Sequence, residues 1–207
     1  MTEPLTLPEY QRLVQRTESS APSSANLPVI EEGEATGEVA ALYEHFRSHF
    51  GRPQVPGILK CFATHPPLLR AMTALSESLL FAEGALGRRH KEMIATFVSA
   101  RNECAYCADS HGYFLRVHGG SNEVVCALQE GDLFSTEFTA AEQALLAFVQ
   151  KVNVHSNEVT PADIESLRSS GWNDLQIAEC IHLTALFATF NRVANTFGLP
   201  SQRLLDL

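Results

Sequence analysis

Long apolar runs are absent from this sequence. No stretch approaches the roughly 18 residues that a membrane-spanning helix needs, so no span is expected. Positive charge is also scarce. Fifteen Lys and Arg against 24 Asp and Glu leave a net charge of −9, and such a chain repels phosphate backbones, which argues against a broad nucleic-acid surface. The first 20 residues carry Glu3, Glu9, Arg12, Arg16 and Glu18 and hold no continuous apolar signal-peptide core. The expectation is a cytoplasmic chain. Strand alternation and Asn-Gly or Asp-Gly hairpin signals are missing as well. Cysteine is sparse and odd in number, with five in 207 residues, which is no secreted disulfide framework.

What is present is helical. Residues 38–50 place Val39, Leu42, Tyr43, Phe46 and Phe50 at amphipathic spacing. Pro66-Pro67 open a helix predicted to run to about Phe81. Gly84 and Gly87 precede a segment over 88–100, and Asn102 is the expected cap of a helix ending near Val117, before Gly119-Gly120. Ser121 starts a short segment. Thr139 with Glu142 and Asn173 with Gln176 read as capping boxes, and Pro161 takes the first helical position after Thr160. The last helix is expected over residues 174–195. A short helix over 7–15 and a Ser/Pro-rich linker over 19–28 precede these elements. The fold class is therefore all-α, with residues 1–30 as an extension and linker and 31–207 as a helical domain. A faint internal repeat aligns Ile94-Ala95 with Ile177-Ala178 and Phe114 with Phe197.

The sharpest signal is ECAYCADSH at 103–111. On a helix Cys104 and Cys107 are i,i+3 neighbours with Cβ atoms roughly 5–6 Å apart, within reach of a disulfide. His111 is i+4 from Cys107, so the three share one stripe. A cap at Asn102 would put Cys104 in the first turn, where the helix dipole stabilises a thiolate. A thiolate beside a base is the requirement for nucleophilic sulfur chemistry. Glu92 would lie about 18 Å from Cys104 on an unbroken helix. It joins the site only if the chain turns near residues 101–103, and it would then orient His111 and accept its proton. A zinc site using Cys104, Cys107, His111 and Glu92, or two buried cysteines beside a core histidine, are the competing readings. Glu179, His182, Asn191 and Asn195 form a polar run in the last helix, near a pocket or simply between helices. His45 and His49 read as a solvated face.

Glu92, Cys104, Cys107 and His111 together spell E-x11-C-x2-C-x3-H. This resembles the alkylhydroperoxidase D-like branch of the carboxymuconolactone decarboxylase superfamily over roughly residues 38–200. FATFNRVANTFGLP also looks like the closing helix of its peroxidase-related members. The resemblance implies a helical fold assembling as trimers or larger rings, and reduction of a hydroperoxide substrate by a cysteine pair without a cofactor or metal. An external dithiol would act as reductant. It implies Cys107 as the peroxidatic cysteine, Cys104 as the resolving one, and His111 with Glu92 as the proton relay. The dipole alone favours Cys104 by about 0.3–1 kcal/mol, whereas a positioned base contributes roughly 10²–10⁴-fold in rate and favours Cys107. Tyr106 stands where the founding peroxidases have His, which removes an accessory acid–base group. The decarboxylase branch lacks the cysteine pair, so decarboxylation is not implied. A disulfide oxidoreductase or a redox sensor is the alternative use of the same residues.

Overall fold

Local capping sets several of the helix boundaries in the computed structural model, which describes residues 26–206. The expected helix at 7–15 and most of the linker lie outside these residues. Nine α-helices are present among the described residues, and no strand. They are α1 (Gly37–Phe50), α2 (Gly57–Phe62), α3 (Pro66–Ser76), α4 (Arg88–Arg101), α5 (Ala105–Val117), α6 (Asn122–Glu130), α7 (Ala140–His155), α8 (Pro161–Ser169) and α9 (Asp174–Phe197). Both expected capping boxes form, Thr139 with Glu142 and Asn173 with Gln176. A third joins Thr160 to Asp163 around Pro161, and Ser121 Oγ caps α6 by accepting from Val124 N. Each such cap is worth about 1 kcal/mol.

The core is organised around α4, whose residues 91–99 are all buried and which packs chiefly on α5 and then on α9. A central helix that carries polar residues must satisfy each of them, and α4 does. Lys91 Nζ donates to Leu79 O and Ala82 O and pairs with Glu179. Thr96 Oγ1 donates to Glu92 O, and Ser99 Oγ accepts from Asn191. Glu179 also accepts from Leu86 N at 2.6 Å. Its carboxylate lies so close to Gly84 that a Cβ there would push it off Leu86 N and Lys91.

The helix expected over 66–81 is α only as far as Ser76. Glu77–Phe81 form one π turn, closed by Ala82 N donating to Glu77 O at 2.8 Å. The wide turn directs Leu79 O toward Lys91, a buried cation that needs acceptors.

The two blocks of the faint repeat are built differently, the first as α4–turn–α5 and the second as the unbroken α9. At the chain's far end a 3₁₀ turn at Leu204–Asp206 is held on α5, where the buried Asp109 carboxylate accepts from Leu204 N and Leu205 N, each at 3.0 Å. Near the start of the described residues, Asn26 bonds Phe197 O and Thr196 O on α9.

Candidate active site

The turn between α4 and α5 builds the site. Asn102 is not the N-cap of α5: it closes α4, and α5 restarts from Cys104. Between them Glu103 takes a left-handed backbone conformation, φ 53°, and Cys104 N donates back to Ser99 O at 2.9 Å. The Asn102 side chain is drawn away from capping by long-range partners. It exchanges hydrogen bonds with Asn153, and its Nδ2 donates to Asn191 Oδ1 at 3.0 Å. Asn195 Nδ2 donates to Asn102 O.

The reversal folds α5 back along α4, so that Glu92 Oε2 and His111 Nδ1 meet at 2.7 Å. Glu92 is fully buried and its other oxygen accepts from Arg88 at 2.6–2.7 Å. Burial alone pushes this carboxyl up, but the charge and hydrogen bond of His111, followed by those of Arg88, prevail and hold it below the usual carboxylate value. The His111 ring packs edge-on to Phe187 at 4.6 Å, which fixes its plane. With Nδ1 taken by Glu92, Nε2 is the nitrogen left for proton transfer.

Cys104 and Cys107 are both free thiols, 1% and 3% exposed, and their environments differ. As the N-cap residue, Cys104 has its sulfur where the first N–H groups of the helix lack partners. The Cys107 thiol donates toward it, and this is the largest influence lowering the Cys104 pKa. Burial opposes it, and the backbone N–H of Cys107, the Asn191 side chain and the N–H of Tyr106 add to the lowering. The Cys107 thiol is held well up, first by its hydrogen bond to Cys104, then by burial and by the Cys104 charge. Such a pair gives up its first proton readily and its second with difficulty. Its hydrogen bonds run to each other and to Asn191. The expected Cys107–His111 contact is thus replaced by a Cys107–Cys104 one. Asn191, noted in the sequence only as part of a polar run, is the polar group that touches both sulfurs. It is fully buried and tied to Ser99 and Asn102.

Cys107 and His111 open onto a cleft enclosing ≈ 970 Å³ of space, mouth included, between the α1–α2 loop, α3, the π turn and α5. Its walls are mainly aromatic and aliphatic, with Phe46, Phe50, Phe81, Phe114 and Phe190 prominent, and Tyr106 also faces it. Cys104 is not among the residues that line it. Of the remaining candidates, Glu179 serves Lys91 and Leu86 N, His182 is exposed, and His45 and His49 stack on each other on α1. Cys61 packs beside the pair with its thiol pushed up to about 12 by burial. Cys180 is held at about 12 for the same reason. No three His, Cys, Asp or Glu among the described residues are placed to hold a metal ion, so the four residues of the zinc reading do not converge as ligands.

The profile of the carboxymuconolactone decarboxylase family matches residues 66–151, the span that holds the whole motif. A peroxidase-related protein from Silicibacter sp. TM1040 is 30% identical, with 88% of this chain and 93% of that one aligned at a TM-score of 0.74. The chain belongs to the carboxymuconolactone decarboxylase/AhpD-like superfamily. A second superfamily member, a peroxidase-related protein from Ralstonia eutropha JMP134 described as an alkylhydroperoxidase AhpD core, is 29% identical. It aligns over 89% of this chain and 98% of its own at a TM-score of 0.77. The debrominase Bmp8, in a cysteine-to-alanine form complexed with 2,3,4-tribromopyrrole, shares the fold at 18% identity and a TM-score of 0.69, covering 88% of this chain and 98% of its own. Among curated proteins none matches. No helix among the described residues is long and apolar enough to cross a membrane.

Proposed function

We propose that the protein is a thiol-dependent peroxidase that reduces an organic hydroperoxide through Cys107 and Cys104. The observation that carries this reading is that Cys107 faces an apolar cleft with the Cys104 sulfur and Asn191 beside it, next to a His111 ring oriented by Glu92. The peroxidase-related relatives point the same way.

The proposed steps are these. As a peroxide reaches Cys107, the thiol proton passes to the Cys104 thiolate, which acts as its base. Cys107 Sγ attacks the terminal peroxide oxygen; the S–O bond forms and the O–O bond breaks. The alkoxide leaves as an alcohol, taking a proton donated by His111, and Cys107 is left as a sulfenic acid. Cys104 then attacks Cys107 Sγ, and the S–O bond breaks. Hydroxide departs and takes the Cys104 thiol proton as water. The balance is two thiols and one hydroperoxide giving one disulfide, one alcohol and one water. An external dithiol restores the pair by exchange, as a reducing cytoplasm would supply. Because the pair is buried and Cys107 is met through the cleft, a small peroxide reaches it more readily than a disulfide of a folded protein would.

The test is peroxide consumption with dithiothreitol or dihydrolipoamide as reductant, followed by thiol titration. Catalytic loss of peroxide with cycling of two thiols supports the reading. Oxidation of the pair without turnover under any reductant would leave a redox sensor instead.

A further inference from the structure

The hydroxyls on the wall of the cleft share one bias. Thr73 and Ser76, i,i+3 neighbours on α3, line it, as does Ser110 on α5. Thr73 Oγ1 donates to Leu69 O and Ser76 Oγ to Met72 O, each at 2.8 Å. Ser110 Oγ has Tyr106 O at 2.9 Å and Gln202 Oε1 at 3.2 Å, two acceptors for its one proton. A hydroxyl has a single hydrogen, so these three oxygens meet a molecule in the cleft only as acceptors.

Gln54 adds a fourth acceptor, and an unsatisfied one. The residue lines the cleft, and its Oε1 is buried with no hydrogen-bond partner. A buried carbonyl oxygen left unbonded costs free energy, and native chains keep few of them. The backbone on either side of Gln54 is anchored. Gly51 ends α1 in a left-handed conformation, Pro53 and Pro56 restrict the loop, and the fully buried Val55 donates its N–H to Glu32 Oε1 at 3.0 Å. Among the described residues that line the cleft there is no aspartate or glutamate. Its acceptors are therefore neutral and suit hydroxyl or N–H donors better than cations.

Cys107 and His111 take the peroxide end of a substrate, and the ≈ 970 Å³ of the cleft, mouth included, leaves space for a body beyond it. We infer that the preferred substrates are hydroperoxides whose apolar body carries a neutral hydrogen-bond donor, a hydroxyl or an N–H, and that Gln54 Oε1 receives it. This rests on the peroxidase reading above and adds the substrate class to it. A site built to bond a substrate hydroxyl discriminates against the analogue that lacks it, because its own polar group is then left unpaired.

The experiment compares meta-(hydroxymethyl)cumene hydroperoxide with its methyl ether, on wild type, Gln54→Met and Gln54→Asn. The ether keeps the oxygen and loses the donor. The wild type is expected to favour the hydroxyl compound in kcat/KM by about fivefold or more. Gln54→Met, close in size and without the acceptor, should bring the ratio close to one, whereas a penalty from the ether's extra methyl would persist. Gln54→Asn, which keeps a carbonyl, should retain part of the preference. Gln54→Met should also raise the thermal unfolding midpoint, since it removes an unbonded buried acceptor. A ratio near one in the wild type, or an unchanged ratio in Gln54→Met, overturns the inference and leaves the peroxidase reading standing. A merely structural amide would give that unchanged ratio with a lower midpoint. If neither hydroperoxide is consumed, the peroxidase reading fails. Calorimetric titration of the two corresponding alcohols then decides the acceptor site alone: tighter binding of the hydroxymethyl compound that Gln54→Met abolishes supports it, and equal binding overturns it.

Discussion

Glu92 and His111 stand nineteen positions apart and meet at 2.7 Å, a fully buried carboxylate on one helix gripping the Nδ1 of an imidazole on the next. The contact exists because the chain reverses through a left-handed Glu103, and it leaves Nε2 as the working nitrogen.

Replacing Glu92 with Gln should lower peroxide turnover by roughly 10²–10⁴-fold, the usual worth of a positioned proton relay. It should also destabilise the protein by about 3 kcal/mol, because Arg88 and His111 lose their buried partner. The pH dependence has a definite sign. The native Glu92 pKa is depressed, so its stabilisation is complete above the ordinary value of 4.5 and is lost as pH falls through the lower native value. Denaturant unfolding of both proteins should therefore show a gap at pH 7 that closes in acid. An unchanged kcat in Glu92→Gln removes it from the relay.

Cys107→Ser should abolish peroxide reaction at the pair. Cys104→Ser should still give a sulfenic acid that dimedone traps, without turnover. In that variant the base for Cys107 is gone while burial still holds its thiol up. The rate of the first oxidation should therefore need a higher pH than in the wild type. Trapping in Cys107→Ser but not in Cys104→Ser would mean that the roles are reversed.

Asn191→Ala removes a donor from both sulfurs and strands Ser99 and Asn102. Thiolate formation, read by ultraviolet absorbance against pH, should move upward. Stability should fall by about 1–3 kcal/mol. A titration identical to the wild type would limit Asn191 to a packing role.

Asp109→Ala should free the two amides of the 3₁₀ turn. Hydrogen exchange at Leu204 and Leu205 should accelerate, and peroxide activity should weaken because Gln202, a cleft wall residue bonded to Ser110, loses its anchor. Unchanged exchange at both positions contradicts the clamp.

Leu68 and Leu75 expose apolar surface seven residues apart on α3, and Phe134 is 88% exposed. We expect these faces to be covered by further copies of the chain as a trimer or hexamer. Light scattering that reports a monomer at micromolar concentration would count against it.

Much of the helical framework was legible in the sequence because its signals are local: a Thr or Asn three residues before a Glu or Gln, a proline at a first helical position, apolar residues at helical spacing. The convergence of Glu92 with His111 was legible only on the condition of a turn near residues 101–103. The turn's details were hidden because Asn102 is a good cap by type, and only its distant partners Asn153 and Asn191 show why it does not cap. The sharing of a proton between the cysteines was hidden for a related reason. It depends on α5 restarting at Cys104 and on Asn191 arriving from a helix some ninety residues away. The segment at 77–81 has ordinary helix formers, and nothing in its periodicity marks the wider turn.

That wider turn has an evolutionary consequence. A π turn is an α-helix with one residue inserted, and here it contributes Leu80 and Phe81 to the cleft wall. Deleting one residue between 77 and 81 would rotate the downstream end of the turn by about 100° and carry Phe81 off the wall. The motif on α4 and α5 would keep its residues. Lys91, which grips the turn through Leu79 O and Ala82 O, sits next to Glu92 and ties this adjustable wall to the fixed chemistry. Descendants of one ancestral catalyst could thus acquire differently shaped clefts through a single-codon insertion or loss while retaining the same sulfur pair.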